Sequence, residues 1–222
     1  MTTSARLHAW PTVEEMNADS GSGVSREEIS AALADFQPRA ASPKNRRAAA
    51  VAIAVGSNAA GVTSCLLTKR PDRMRAHPGQ FALPGGNVDQ GESPAYAAIR
   101  ELREELTVDA AESDVLGRLD DYVTRSGYVI TPFVIWIGSR LTTVVPNPEE
   151  VAELFAPTMA ELDVEPRFIT IPESDRPVVQ WPFRGHLVHA PTAAIVYQFR
   201  EVVLRRRHTR VDHLEQPVFA WR

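Results

Sequence analysis

At 222 residues, 44% of them hydrophobic, the chain is long enough to bury a substantial core as one domain with appendages. Its formal charge of -4, from 24 Lys and Arg against 28 Asp and Glu, offers no basic field for nucleic acid or an anionic membrane, so a small ligand or a protein partner fits better. A single cysteine, Cys65, excludes an internal disulfide, and its setting in "VTSCLLT" reads as a buried strand thiol in a reducing compartment.

In chain order, residues 1–24 are polar and end in "SGSG", which predicts a flexible start. The first residues lack the basic-then-apolar layout of a signal peptide, and no apolar run approaches the roughly 18 residues of a membrane span. A cytoplasmic protein with no membrane association is expected. "SREEISAALADF" offers Ser25 as N-cap with Glu28 three residues later, predicting a short helix that buries Ile29, Leu33 and Phe36. A flexible segment over 1–45 carrying that helix would precede the main domain over 46–210 and a tail over 211–222. "KNRR", Lys44 to Arg47, reads as a solvated lead-in to "AAAVAIAV" and "VTSCLLT", two apolar runs that form a hairpin through "GSNAAG". A loop with Pro71, Pro78, Pro84 and paired glycines follows.

The next helix starts at Ser93-Pro94, an N-cap and first-turn pair, and places Ala95, Ala98, Ile99, Leu102 and Leu106 on one stripe. "RELREEL", Arg100 to Leu106, sets Glu101, Glu104 and Glu105 on a neighbouring stripe, turned away from the core. "VLGRLDDYV" and "YVITPFVIWIG" predict two strands joined through Ser126-Gly127, "EEVAELFAP" another strand, and "TMAELDV" a helical turn. The last helix runs through "PTAAIVYQFREVVLRRRH" from Pro191, with Arg205 to His208 in its final turn, where cations favour the negative end of the dipole. The order implies an α/β fold with a mixed sheet flanked by helices. His186, His189 and His213 show no metal-ligand spacing.

Three gathered carboxylates need a counter-charge. Upstream stands "PGGNVDQGE", Pro84 to Glu92, whose paired glycines allow close backbone approach. Carboxylates with a backbone oxygen make a hard, oxygen-only cage suited to Mg²⁺ or Mn²⁺ bridging to phosphate.

At these residues the chain resembles the Nudix hydrolases, whose box is G-x5-E-x7-R-E-U-x-E-E-x-G-U. Here it runs Gly86, Glu92, Arg100, Glu101, Leu102, Glu104, Glu105, Thr107, Val108, with Thr107 in place of the second glycine at a left-handed helix cap. The resemblance implies an α/β/α sandwich that uses Mg²⁺ or Mn²⁺ to hydrolyse a nucleoside diphosphate linked to another moiety. It assigns metal binding to Glu101, Glu104 and Glu105 with the Gly85 carbonyl, and has Arg100 orient Glu92. The general base would be a box glutamate, Glu101 or Glu104, or a carboxylate from a distant loop, with Glu149, Glu150 and Glu153 the nearest by position.

"LLTKRPDRMRAHPGQFALPGG", Leu66 to Gly86, resembles the signature of the coenzyme A pyrophosphatase branch, with Pro71 and Leu83 departing from it. That implies phosphate grip by Arg70, Arg75 and His77, since a guanidinium fork matches phosphate oxygens. "FRGHLVHAPTAAI" carries His189 and Ala190 where that branch has a Trp-Gly pair, and "QWPF", Gln180 to Phe183, resembles part of a motif of NADH pyrophosphatases. Three readings follow: a coenzyme A or acyl-coenzyme A diphosphohydrolase, a Nudix enzyme for ADP-ribose, NADH or a nucleoside triphosphate, and a non-catalytic Nudix-fold binding module. The partner in the first two is a small-molecule substrate, and self-association into a homodimer stays open.

Overall fold

A computed structural model describes residues 23–42, 45–58, 60–74 and 77–221. The expected flexible start over 1–24 falls almost wholly outside these residues.

The centre is a mixed six-stranded sheet. Its strands are β1 (Arg47–Ser57), β2 (Thr63–Cys65), β5 (Gly85–Asn87), β6 (Val115–Arg118), β7 (Tyr122–Val123) and β8 (Tyr128–Trp136). The order is β2-β1-β8-β6, with β5 pairing β1 and β7 pairing β8. β1 and β8 run parallel over nine residue pairs, and every other pairing in this sheet is antiparallel. The side-chain period of two divides β1 between two cores. Ala50, Ala52 and Ala54 face the helix α2 (Pro94–Leu106) and its buried Ala97, Ala98 and Leu102. Ile53 and Val55 face the other side, with α1 (Arg26–Asp35) and α4 (Thr192–Phe199). Three alanines in a row on one face let α2 lie close to the sheet. The result is the expected α/β/α sandwich.

Two small antiparallel sheets flank it. One has the order β4-β3-β9, from β3 (Leu67–Lys69), β4 (Phe81–Ala82) and β9 (Glu153–Phe155). The other has the order β10-β11-β12, from β10 (Arg167–Ile171), β11 (Ser174–Phe183) and β12 (His186–His189), with the turn α3 (Met159–Leu162) ahead of it. The sequence reading did not predict this last sheet.

At the N-terminal side, Ser25 and Glu28 close the expected capping box, and Ile29, Leu33 and Phe36 are buried with Ala32. At the C-terminal side, α4 gives way to a π-helical turn over Arg200–Leu204, so Arg205 to His208 lie past the helix end rather than in its last turn. There Arg205 and Arg200 pair with Asp163, and Arg207 and Arg200 pair with Glu201. The tail is packed rather than loose: Val211, Leu214, Glu215, Gln216 and Ala220 are buried.

Candidate active site

The site is built where β5 and α2 meet. Ser93 Oγ accepts from the Tyr96 amide at 3.2 Å and Pro94 opens the helix, which fixes where its first turn begins. The apolar stripe then rotates Glu101 and Glu105 to the edge of the sheet. Contrary to the expectation that all three glutamates turn from the core, Glu101 is 9% and Glu105 4% exposed, while Glu104 is exposed. The paired glycines explain the difference, because they let the β5 loop lie between β1 and the carboxylates. A Cβ on Gly85 would sit 2.3 Å from the Ala50 carbonyl oxygen, and one on Gly86 would sit 2.3 Å from Glu101 Oε1.

Carboxylate oxygens of Glu101, Glu105 and Glu150 lie within 4.8 Å of one another. Burial raises the Glu101 carboxyl above its ordinary range, against the Arg100 hydrogen bond that lowers it. Burial also pushes Glu105 up to about 8, helped by the charges of Glu101 and Glu150 and opposed by Arg70 and the Gly85 backbone. Like charges withdrawn from water are costly unless a cation sits among them. The donor set is hard oxygen throughout, which fits a divalent cation of the Mg²⁺ class.

Of the three loop glutamates named from sequence, only Glu150 reaches this cluster, where it accepts from Asn147 Nδ2 at 3.3 Å. Glu149 is exposed, its amide bonded to Asn147 Oδ1, and Glu153 pairs with Lys69 at 2.6 Å. Glu104 stands outside the cluster. Arg100 Nη1 donates to both Glu104 Oε2 at 2.9 Å and Glu101 Oε1 at 2.8 Å, so one nitrogen ties the exposed carboxylate to the buried one. The same guanidinium grips Glu92 through Nε at 2.9 Å and Nη2 at 3.2 Å and donates to the Asn87 carbonyl. These bonds hold the guanidinium charged, the Glu92 bond foremost, and clamp the glycine loop to the helix.

Thr107 ends α2 at φ 55° and ψ 33°, in the left-handed conformation that the resemblance implied. The strain on a β-branched residue there is offset by its hydroxyl, which donates to the Val145 carbonyl at 3.0 Å.

From Gly85 and Gly86 a cavity of about 590 Å³ runs between the central sheet and α4, and Arg70 and His77 also line it. Arg70 Nε is buried without a hydrogen-bond partner. The Arg70 charge also acts on the Glu105 carboxyl, lowering it against the effect of burial. Burial and the Arg70 charge hold the His77 imidazole below its ordinary value. Arg75 lies outside the described residues. The cavity floor is aliphatic, from Leu83, Ile130, Val188 and Ile195, all buried. His189, Gln216 and Phe219 stand on its wall and were not named as site residues from sequence. Their signal was the undetected sheet. "RFITI" is rich in aromatic and β-branched residues, and Arg184-Gly185, both at positive φ, is a two-residue hairpin turn between β11 and β12.

A family model described as "NUDIX domain" matches residues 44–181. An uncharacterized Nudix hydrolase NudL of Photorhabdus laumondii is 33% identical over 148 residues, covering 62% of this chain and 76% of that protein. Nudix hydrolase 3 of Caenorhabditis elegans is 36% identical over 105 residues, which is 46% of this chain and 44% of that protein. A solved Nudix hydrolase of M. smegmatis, RenU, is similar at 21% identity and a TM-score of 0.47, over 72% of this chain and 87% of that one.

Proposed function

The chain belongs to the Nudix hydrolase family, and from that premise we propose that it hydrolyses the diphosphate of coenzyme A or acyl-coenzyme A to 3',5'-ADP and (acyl-)4'-phosphopantetheine. One observation supports this substrate above the others. The cavity that begins at Gly85 and Gly86, beside the carboxylate cluster, is lined by Arg70 and has an uncharged aliphatic floor, which suits a diphosphate that carries a long neutral arm besides its nucleoside.

Glu101, Glu105 and Glu150 would hold the divalent cation, Mg²⁺ or Mn²⁺, with the Gly85 carbonyl and Glu104 on the solvent side. When bound, such an ion neutralises phosphoryl oxygens and lowers the pKa of water. The chain supplies the rest. Arg70, on the cavity wall, would meet an anionic phosphate, while Arg100 keeps Glu92, Glu101 and Glu104 in fixed relation. The general base is drawn from Glu101, Glu104 and Glu150, and the resemblance adds Arg75 and His77 to the phosphate grip. With a cation held there, these groups would let water attack phosphorus in line, with charge stabilised around it.

A second reading, hydrolysis of ADP-ribose or a dinucleotide, draws on Arg70 being the one formal cation among the described lining residues, whereas coenzyme A brings a 3'-phosphate besides its diphosphate. A metal-dependent screen over coenzyme A, ADP-ribose, NADH and nucleoside triphosphates decides between them. Coenzyme A should give the highest kcat/KM, and a higher value for ADP-ribose would transfer the assignment.

A further inference from the structure

The family match ends at residue 181, yet much of the cavity wall is built after it, by β12, α4 and the C-terminal tail. Whatever the box does to a diphosphate, these later elements meet the substrate's other parts. Among them Phe219 stands out: it lines the cavity and is 55% exposed, while the tail around it is fixed. Trp221 Nε1 donates to the Gln216 carbonyl at 2.9 Å, and Gln216 Oε1 accepts from the Arg125 amide at 2.7 Å. Arg125 also pairs with the buried Glu215 at 2.6 Å and lies over the Trp221 ring at 5.1 Å. A lone exposed aromatic is ordinary on a protein surface. One presented by a buried, hydrogen-bonded segment at a cavity mouth is a preorganised platform.

Its neighbour supports this use. His189 meets Phe219 nearly edge to face, with centroids 5.1 Å apart at 84°. Gln180 Nε2 lies 3.0 Å from His189 Nε2. That contact fixes the orientation of the His189 ring beside Phe219. The rim thus pairs an aromatic ring with an imidazole, above a floor without charge.

We propose that Phe219 is a specificity-determining residue, on whose ring the planar heteroaromatic base of a nucleotide substrate stacks while the diphosphate faces Arg70 and Gly85. The inference rests on reading this cavity as the substrate site. Stacking needs a π-face and tolerates different bases, so this contact selects nucleotides as a class.

The test titrates the Mg²⁺-loaded protein with two non-hydrolysable ligands, α,β-methylene-ADP and methylenediphosphonate, which share a bridged diphosphate and differ by the nucleoside. Phe219→Ala should weaken the nucleotide roughly 10- to 100-fold, the value of one base on one ring, and leave methylenediphosphonate within about twofold. Phe219→Trp should restore the affinity, whereas Phe219→Leu, apolar but without a ring, should not. Unchanged nucleotide affinity in Phe219→Ala, equal losses for both ligands, or rescue by leucine would each overturn the proposal. Failure of the hydrolase reading would show separately, as absence of turnover on every substrate of the screen.

Discussion

Glu105 binds its proton more tightly in the folded chain than in the unfolded one, since burial and the charges of Glu101 and Glu150 push its carboxyl up to about 8 from an ordinary 4.5. The sign of the linkage follows: without metal, this group favours folding below about pH 4.5, and that contribution is lost as pH rises through about 8. With chelator present, Glu105→Gln should therefore melt higher than wild type at pH 8, by several degrees, and the gap should close towards pH 5. Added Mg²⁺ should raise the wild-type melting temperature and leave that of the variant nearly unmoved. A gap that is flat between pH 5 and pH 8 would contradict the buried, charge-crowded carboxylate. Thr107 offers a second test at this scale. Left-handed torsion costs a non-glycine residue about 1 to 2 kcal/mol, and the hydroxyl bond to Val145 returns about 0.5 to 1.5 kcal/mol. Thr107→Gly should stabilise by no more than about 1 kcal/mol, while Thr107→Ala, which keeps the strain and loses the bond, should destabilise by about 1 kcal/mol in chemical denaturation.

The loop Gly85–Asn87 and the helix Pro94–Leu106 act as one element because Arg100 bonds to both. Gly86→Ala would place a methyl 2.3 Å from Glu101 Oε1, and the carboxylate must move. We expect at least a tenfold loss of Mg²⁺ affinity with little change in fold, measured by calorimetry; unaltered affinity would mean that Glu101 does not hold the ion. This element was largely legible in sequence, since Ser93-Pro94, the apolar stripe and the glycine pair are local signals with local causes. The burial of Glu101 and Glu105 was not. An apolar stripe marks the face that packs on a sheet, but it cannot say that a glycine loop will cover the stripe beside it. The sheet β10-β11-β12 escaped for another reason. Pro177 and Pro182 interrupt the run that forms β11, and its turn is Arg-Gly rather than Asn-Gly, so neither alternation nor turn chemistry stood out. Pocket residues on that sheet and the tail, His189 and Phe219 among them, went unseen with it. Glu150 could be named from sequence but not separated from Glu149 and Glu153, because only the fold sets one of them against the helix.

The cavity is a property of the whole molecule, with box, proline-rich loop, small sheet and tail each giving one wall. Different consequences are expected for the two arginines of the loop named from sequence. The Arg70 charge acts on the Glu105 carboxyl, so Arg70→Ala should lower kcat/KM alike on coenzyme A and 3'-dephospho-coenzyme A. Arg75→Ala should instead narrow a preference for coenzyme A of roughly 10- to 100-fold, the value of one charge-assisted bond to the 3'-phosphate. The central claim is that this cavity and carboxylate cluster hydrolyse coenzyme A. Its most direct measurement is product analysis of coenzyme A incubated with Mg²⁺ or Mn²⁺ and either wild type or Glu105→Gln. Wild type should give 3',5'-ADP and 4'-phosphopantetheine, lost with chelator and reduced at least 100-fold by the substitution. Intact coenzyme A alongside rapid hydrolysis of ADP-ribose, or undiminished turnover by Glu105→Gln, would contradict it.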